Sequence, residues 1–270
     1  MNDITLGQFV AGNSAIHRLD PRTKLILMIA YIVMTFLVKS MVMYLLPFAF
    51  VLLTLVLSKI SPSYIWKSLK PLRFLIVFMF VINLFVIKGD TVLFEWWILR
   101  ITKEGIVQAV FVTLRLVLLV SGTSLLTLTT SPISLTDGIE KLLSPLKVVR
   151  FPAHELAMMM TIALRFIPTL MDEAVKIQKA QLARGADFES GNIIKRAKAM
   201  IPVLIPLFVS AFRRADELAM AMESRCYHGG DGRTRMRSLK LGWNDLAATL
   251  ITGAFITAIA LMEHFIDFSF

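Results

Sequence analysis

Five apolar runs without a single charged residue, at positions 25–38, 40–58, 74–87, 116–136 and 246–262, constrain the fold of this chain more than any other feature. A water-soluble domain has no interior large enough for them. Hydrophobic residues make up 56% of the chain and the mean hydropathy is +0.70, above the roughly half-apolar composition of soluble domains. In lipid, a helix satisfies its own backbone hydrogen bonds, so each run is a candidate membrane helix. Several fall short of the ~20 residues that a bilayer core requires. Lys24, Lys39, Lys59, Arg73 and Lys88 flank them and can snorkel to lengthen each span. Pro47 is expected to bend the second.

Basic residues in short loops orient the spans. The arm at 1–24 carries Arg18, Arg22 and Lys24, and the loop at 58–73 carries Lys59, Lys67, Lys70 and Arg73 with no acid, so both are expected inside. The loop at 88–104 mixes acids and bases around Trp96 and Trp97 and is expected outside. The organisation predicted is therefore an all-α membrane protein: a cytoplasmic arm at 1–24, four helices across 25–133, a cytoplasmic helical segment at 134–241, and a fifth span with an outer tail at 242–270. The N-terminus reaches Lys24 before any apolar run, unlike a cleavable signal peptide. Arg115 interrupts the apolar stretch 105–136. It is either a paired, functional charge or one that snorkels from a span starting at Leu116. Ala248, Thr252, Gly253, Ala254, Thr257 and Ala258 form a small-residue face on the last span, suited to close helix packing.

The formal charge of +10 is compatible with nucleic acid, anionic lipid or an acidic partner. Between 131 and 241 there are 17 Lys or Arg against 11 Asp or Glu, spread along amphipathic helices without aromatic interleaving, which argues against nucleic acid. One cysteine, Cys226, precludes an intrachain disulfide, and four histidines without paired spacing give no metal-ligand set.

Ser134 reads as the N-cap of a short amphipathic helix ending near Pro145. A longer helix starts near Pro152, bends at Pro168 and ends at Ala183-Arg184-Gly185. After a turn at 187–192, a third helix with Pro202 and Pro206 ends at Ser224-Arg225-Cys226. The uncharged stretch 199–212 within it is expected to be buried against protein or to lie under the membrane, with a re-entrant segment as the alternative. A lone arginine at a helix end is ordinarily a dipole cap. Two such tips in one membrane chain favour recognition, because a guanidinium on a rigid helix end suits a bidentate carboxylate in a partner's groove. Met158, Met159, Met160, Leu164 and Met200, with Met220 and Met222, lie on the same helices as core or as an adaptable surface.

No G-x-x-x-x-G-K-[ST] loop and no Ser/His/Asp, Cys/His or metal-ligand constellation is present. Two other classes remain in view. An ordinary ABC importer permease usually has one coupling loop per chain. A membrane enzyme acting on lipid or prenyl substrates needs acidic or histidine clusters, where this chain has only the scattered Asp172, Glu173, Asp216 and Glu217.

Residues 6–24, ending Leu19-Asp20-Pro21-Arg22-Thr23-Lys24, the segment Arg165-Phe166-Ile167-Pro168, and above all residues 180–188 around Ala183-Arg184-Gly185 resemble the transmembrane T component of energy-coupling factor (ECF) transporters, ATP-driven importers of vitamins and transition metals. The resemblance implies that two cytoplasmic coupling helices cross, each seating its arginine tip in one of two ABC-type ATPase subunits. Ser224-Arg225-Cys226 stands at the second tip, where cysteine replaces a glycine free to adopt positive φ. It further implies that a separate S component carries the substrate and moves against the apolar helix surface, for which Met158, Met159, Met160, Leu164 and Met200 are the expected contacts. The N-terminal stretch looks most like modules shared among several S components. No cofactor is expected on this chain, since ATP and Mg belong to the partner ATPases. No catalysis is expected here either.

Overall fold

The computed structural model describes residues 9–87, 91–96, 99–149, 151–188, 190–229 and 239–265. Two compact units form, one from 1–139 with 238–270 and one from 140–237.

The first unit contains α1 (Pro21–Leu37), α2 (Leu45–Ser58), α3 (Pro62–Leu69), α4 (Arg73–Val86), the strands β1 (Val92–Trp96) and β2 (Leu99–Thr102), α5 (Lys103–Thr129), the first part of α6 (Pro132–Leu143), and α9 (Trp243–Phe265). α5 is central: α1, α2, α3 and α4 all pack against it, and α9 closes on α1 and α2. At the heart of this bundle lies Tyr31, 1% exposed, whose hydroxyl donates to Leu118 O at 2.8 Å while its ring stacks on Phe50. Phe50 in turn meets Phe255 edge-on. One aromatic column thus joins α1, α2, α5 and α9.

Polar residues fasten the helix ends. Asp20 accepts from Arg22 N and caps α1, with Pro21 in the first position where no amide is needed. The Asp245 carboxylate accepts from Gly242 N at 2.7 Å and from Asp20 N at 2.8 Å, so it joins the start of α9 to the start of α1. Lys24 Nζ donates to Thr129 O at 2.9 Å and Thr130 Oγ1 at 3.0 Å, tying α1 to the C-terminal end of α5.

Several expectations are corrected. The loop at 58–73 is helical from Pro62 on, because α3 and a 3-10 turn (Lys70–Leu72) run into α4 and make a helical stretch of 25 residues. The loop at 88–104 contains an antiparallel hairpin, β1 with β2, a local addition to a chain that is otherwise helical, as expected. Pro47 occupies the first turn of α2, where its missing amide costs no internal hydrogen bond. The cap of α6 is Ser131, whose Oγ accepts from Ser134 N, since the helix begins at Pro132 rather than after Ser134. The small-residue face of α9 is split: Thr252 is buried, whereas Gly253 faces open space and Thr257 is exposed. The buried side is Asp245, Thr252 and Ile259, at helical spacing.

Arg115 lies mid-helix in α5, and the helix itself begins twelve residues before Arg115. Its Nε donates to Tyr44 Oη at 3.1 Å and its Nη2 to Val38 O at 3.3 Å, with the guanidinium over Phe36 and Phe111. Val38 ends α1, and its carbonyl has no helical partner of its own. The charge is therefore a pin for the α1–α2 turn.

Pro62–Val86, Lys103–Thr129 and Trp243–Met262 are each long and apolar enough to cross a membrane, and Val42–Ser58 is a shorter apolar helix. The chain is a multi-pass, helical membrane protein.

Candidate functional site

The second unit is dominated by α7 (Ala153–Ala183) and α8 (Ile193–Glu223), each 31 residues or about 46 Å long. Asn192 caps α8, its side-chain oxygen accepting from Ile193 N at 2.8 Å. Pro168 sits inside α7, and Pro202 and Pro206 inside α8, yet both helices are continuous across them.

The two helices pack together. Arg214 Nη2 donates to Glu173 Oε2 at 2.9 Å. The Ser210 hydroxyl and then the Arg214 charge hold the Glu173 carboxyl below the usual glutamate range, against the opposing effect of desolvation. A lowered folded-state pKa means that the stabilisation is present above the ordinary value of 4.5 and is lost as pH falls through the lower, folded value. Thermal unfolding of the solubilised chain should lose stability over that acid window, and Glu173→Gln should flatten this part of the profile.

From this cross-helix pair the two arms are equal. Arg184 lies eleven residues beyond Glu173, and Arg225 eleven beyond Arg214, about 16 Å along each axis. Counted instead from the acid pairs Asp172-Glu173 and Asp216-Glu217, the arms are unequal, about three turns and about two. The Glu173–Arg214 contact supplies the proper origin.

The tips match in backbone detail. At the first, Gly185 N donates to Leu182 O and Ala186 N to Gln181 O; at the second, Cys226 N donates to Glu223 O and Tyr227 N to Met222 O. Both are Schellman terminations, in which a residue of positive φ lets two amides fold back on the last turn. Gly185 has φ 87° and Cys226 φ 54°. Replacement of glycine by cysteine at the second tip therefore leaves the geometry intact, with left-handed strain carried by a residue that has a Cβ. Cys226→Gly should relieve about 0.5–1 kcal/mol net of glycine's entropy and slow exchange of the Tyr227 amide about two- to fivefold.

Ala183, Arg184, Gly185, Ser224, Arg225 and Cys226 are all exposed. Neither tip guanidinium has an ion-pair partner among the described residues. Their full donor sets remain available.

The methionines divide. Met159 is 54% exposed and Met160 similarly so, Met200 is marginally exposed, and Met158 and Leu164 are half-buried. Within 199–212 Val203 alone is buried among the described residues, whereas Ile201, Ile205, Phe208 and Phe212, the last 69% exposed, form an outward stripe, the face that a helix lying under the membrane or against a partner would present. Their spacing is helical and was legible. The absence of charge in the stretch marks an apolar face without naming whether lipid, a partner or the same chain covers it.

Helices long and apolar enough to cross a membrane, with two long helices whose exposed basic ends match, define a multi-pass helical membrane protein with a paired basic surface. Residues 12–236 match the family described as CbiQ, cobalt transport protein. The chain is 56% identical over 266 residues to the energy-coupling factor transporter transmembrane protein EcfT of Thermosediminibacter oceani, covering 98% of this chain and all of the relative. It is 58% identical over 251 residues to EcfT of Clostridium kluyveri, covering 93% of each, and 45% identical over 261 residues to EcfT of Bacillus subtilis, covering 97% and 98%. The chain belongs to the EcfT family, the transmembrane components of ECF transporters.

Proposed function

We propose that this chain couples ATP hydrolysis by two ABC-type ATPase subunits to movement of a substrate-binding S component in the import of a vitamin or other micronutrient. The observation that carries the reading is the pair of exposed arginine tips, alike in backbone termination and equidistant from the Glu173–Arg214 contact. Two matched tips suit two like sockets, and a guanidinium offers each a planar, bidentate donor. ATP and Mg act on the ATPases, and this chain transmits force without catalysing a reaction. The basic inner loops set the N-terminus and the arms in the cytoplasm and the C-terminus outside.

The exposed apolar residues of α7 and α8, Met159 and Met160 with the Ile201 to Phe212 stripe, form the surface against which the S component moves. Flexible, polarisable methionine suits a surface that accepts more than one partner. Burying an unpaired charge there costs several kcal/mol, so Met159→Glu or Leu164→Glu should lower recovery of the S component about tenfold or more while the ATPases still co-purify.

Affinity purification of the tagged chain from its native membrane, with mass spectrometry of the associated proteins, tests the whole reading. Two ABC-type ATPases with one or more small hydrophobic membrane proteins are expected. Recovery of the chain alone would overturn the proposal.

A further inference from the structure

The first unit has an open-sided cavity of about 220 Å³ between α1, α2, α5 and α9, walled by Met28, Tyr31, Phe50, Leu57, Leu125 and Ile251 among others. Leu57 and Ile251 are also 43% and 39% exposed, so the cavity reaches the outer face of the bundle. There α9 is apolar and long enough to cross a membrane, and the molecules at hand are acyl chains. Water is a poor occupant, because it needs two to four polar partners. The lining hydroxyls of Thr54, Thr129 and Thr252 already donate to carbonyls of their own helices. Apolar cavities of about 150 Å³ take up molecules as large as benzene.

One end of the cavity is cationic. Lys24 lines it, is buried, and donates to the neutral oxygens Thr129 O, Thr130 Oγ1 and, at 3.5 Å, His17 O, with no carboxylate in salt-bridge range among the described residues. The Asp245 carboxylate, whose field also reaches Lys24, is engaged by the amides of Asp20 and Gly242. Exposed Lys59 follows two residues after the lining Leu57. An apolar slot with a basic end complements an amphiphile with an anionic head.

We propose that this cavity is a structural lipid site holding one acyl chain of an anionic phospholipid, with the phosphate at the Lys24 and Lys59 end. The lipid fills space among the four helices that no side chain of the described residues fills.

The test uses the full chain in phosphatidylcholine vesicles doped with phosphatidylglycerol or phosphatidylcholine bearing a diazirine in the acyl chain. After irradiation, adducts are mapped by mass spectrometry. Label should concentrate on residues 122–129 and 247–252 over the exposed Val77 of α4. The anionic probe should label about fivefold more than the zwitterionic one, the contribution of about one basic side chain at a membrane surface. Ala248→Phe, which fills the cavity, should remove this label, and Leu250→Phe, at an exposed position outside the wall, should not. Wall labelling no stronger than that of Val77, equal labelling by the two probes, or full labelling of folded Ala248→Phe would overturn the proposal. The head-group comparison uses the unaltered chain and decides the matter even where Ala248→Phe fails to fold.

Discussion

Replacing Arg184 and Arg225 together by alanine is expected to lower affinity for the ATPase subunits by about 10² to 10⁴, because each charge-assisted contact contributes about 1.5–3 kcal/mol. Membrane insertion and the helix content of the chain should be unaffected, since both residues are exposed and follow the last full turn of their helices. Either single variant should lose part of the affinity, as the tips are separate contacts on separate arms. The lysine variants discriminate between the two roles of an arginine in this position. A positive charge that only offsets the helix dipole is served equally by lysine, whereas a bidentate contact is not. Arg184→Lys with Arg225→Lys should therefore bind poorly, and binding equal to the unaltered chain would reduce both tips to caps. Transport at the normal rate by the double alanine variant would sink the coupling assignment.

Gly122→Ala should destabilise the membrane unit by about 2–4 kcal/mol, overpacking and a lost hydrogen bond together. A Cβ at Gly122 falls 2.3 Å from Cε1 of Tyr31 and within about 3 Å of two further ring atoms. The ring cannot swing aside cheaply: it is buried, stacked on Phe50 and held by its hydrogen bond to Leu118 O. Thermal unfolding in detergent reads the loss, and adding Tyr31→Leu, which withdraws the clashing edge, should recover part of it. Gly253→Ala is the matched control. It also lies within a membrane helix but meets nothing within 4 Å, so helix propensity alone predicts a gain of about 0.5–1 kcal/mol. Equal effects at the two glycines would refute the close-approach argument.

The helices were legible because their causes are local. Uncharged runs set off by lysines and arginines mark membrane segments, Gly185 and the prolines punctuate the long arms, and Asn192 announces a start. The T-component family, too, was readable in residues 180–188 and the N-terminal stretch, without any coordinates. Contacts between distant residues were not legible. Nothing in the sequence pairs Arg115 with Val38 and Tyr44, so its charge read equally well as snorkelling. Nothing pairs Glu173 with Arg214, and without that origin the two arms looked unequal. The lack of charge in 199–212 signalled a desire to avoid water but did not say what would cover it, and among the described residues nothing covers the Ile201 to Phe212 stripe. Propensity likewise opposed a left-handed cysteine at 226. The fold-back hydrogen bonds of the last turn hold it there, and they form only once the helix beneath them exists. Sequence by itself determined which segments are helical, which are membrane-compatible and where the basic tips stand, because these depend on residue type and short-range spacing. Tertiary structure alone decided which polar groups meet and which apolar faces stay open, because those follow from long-range packing.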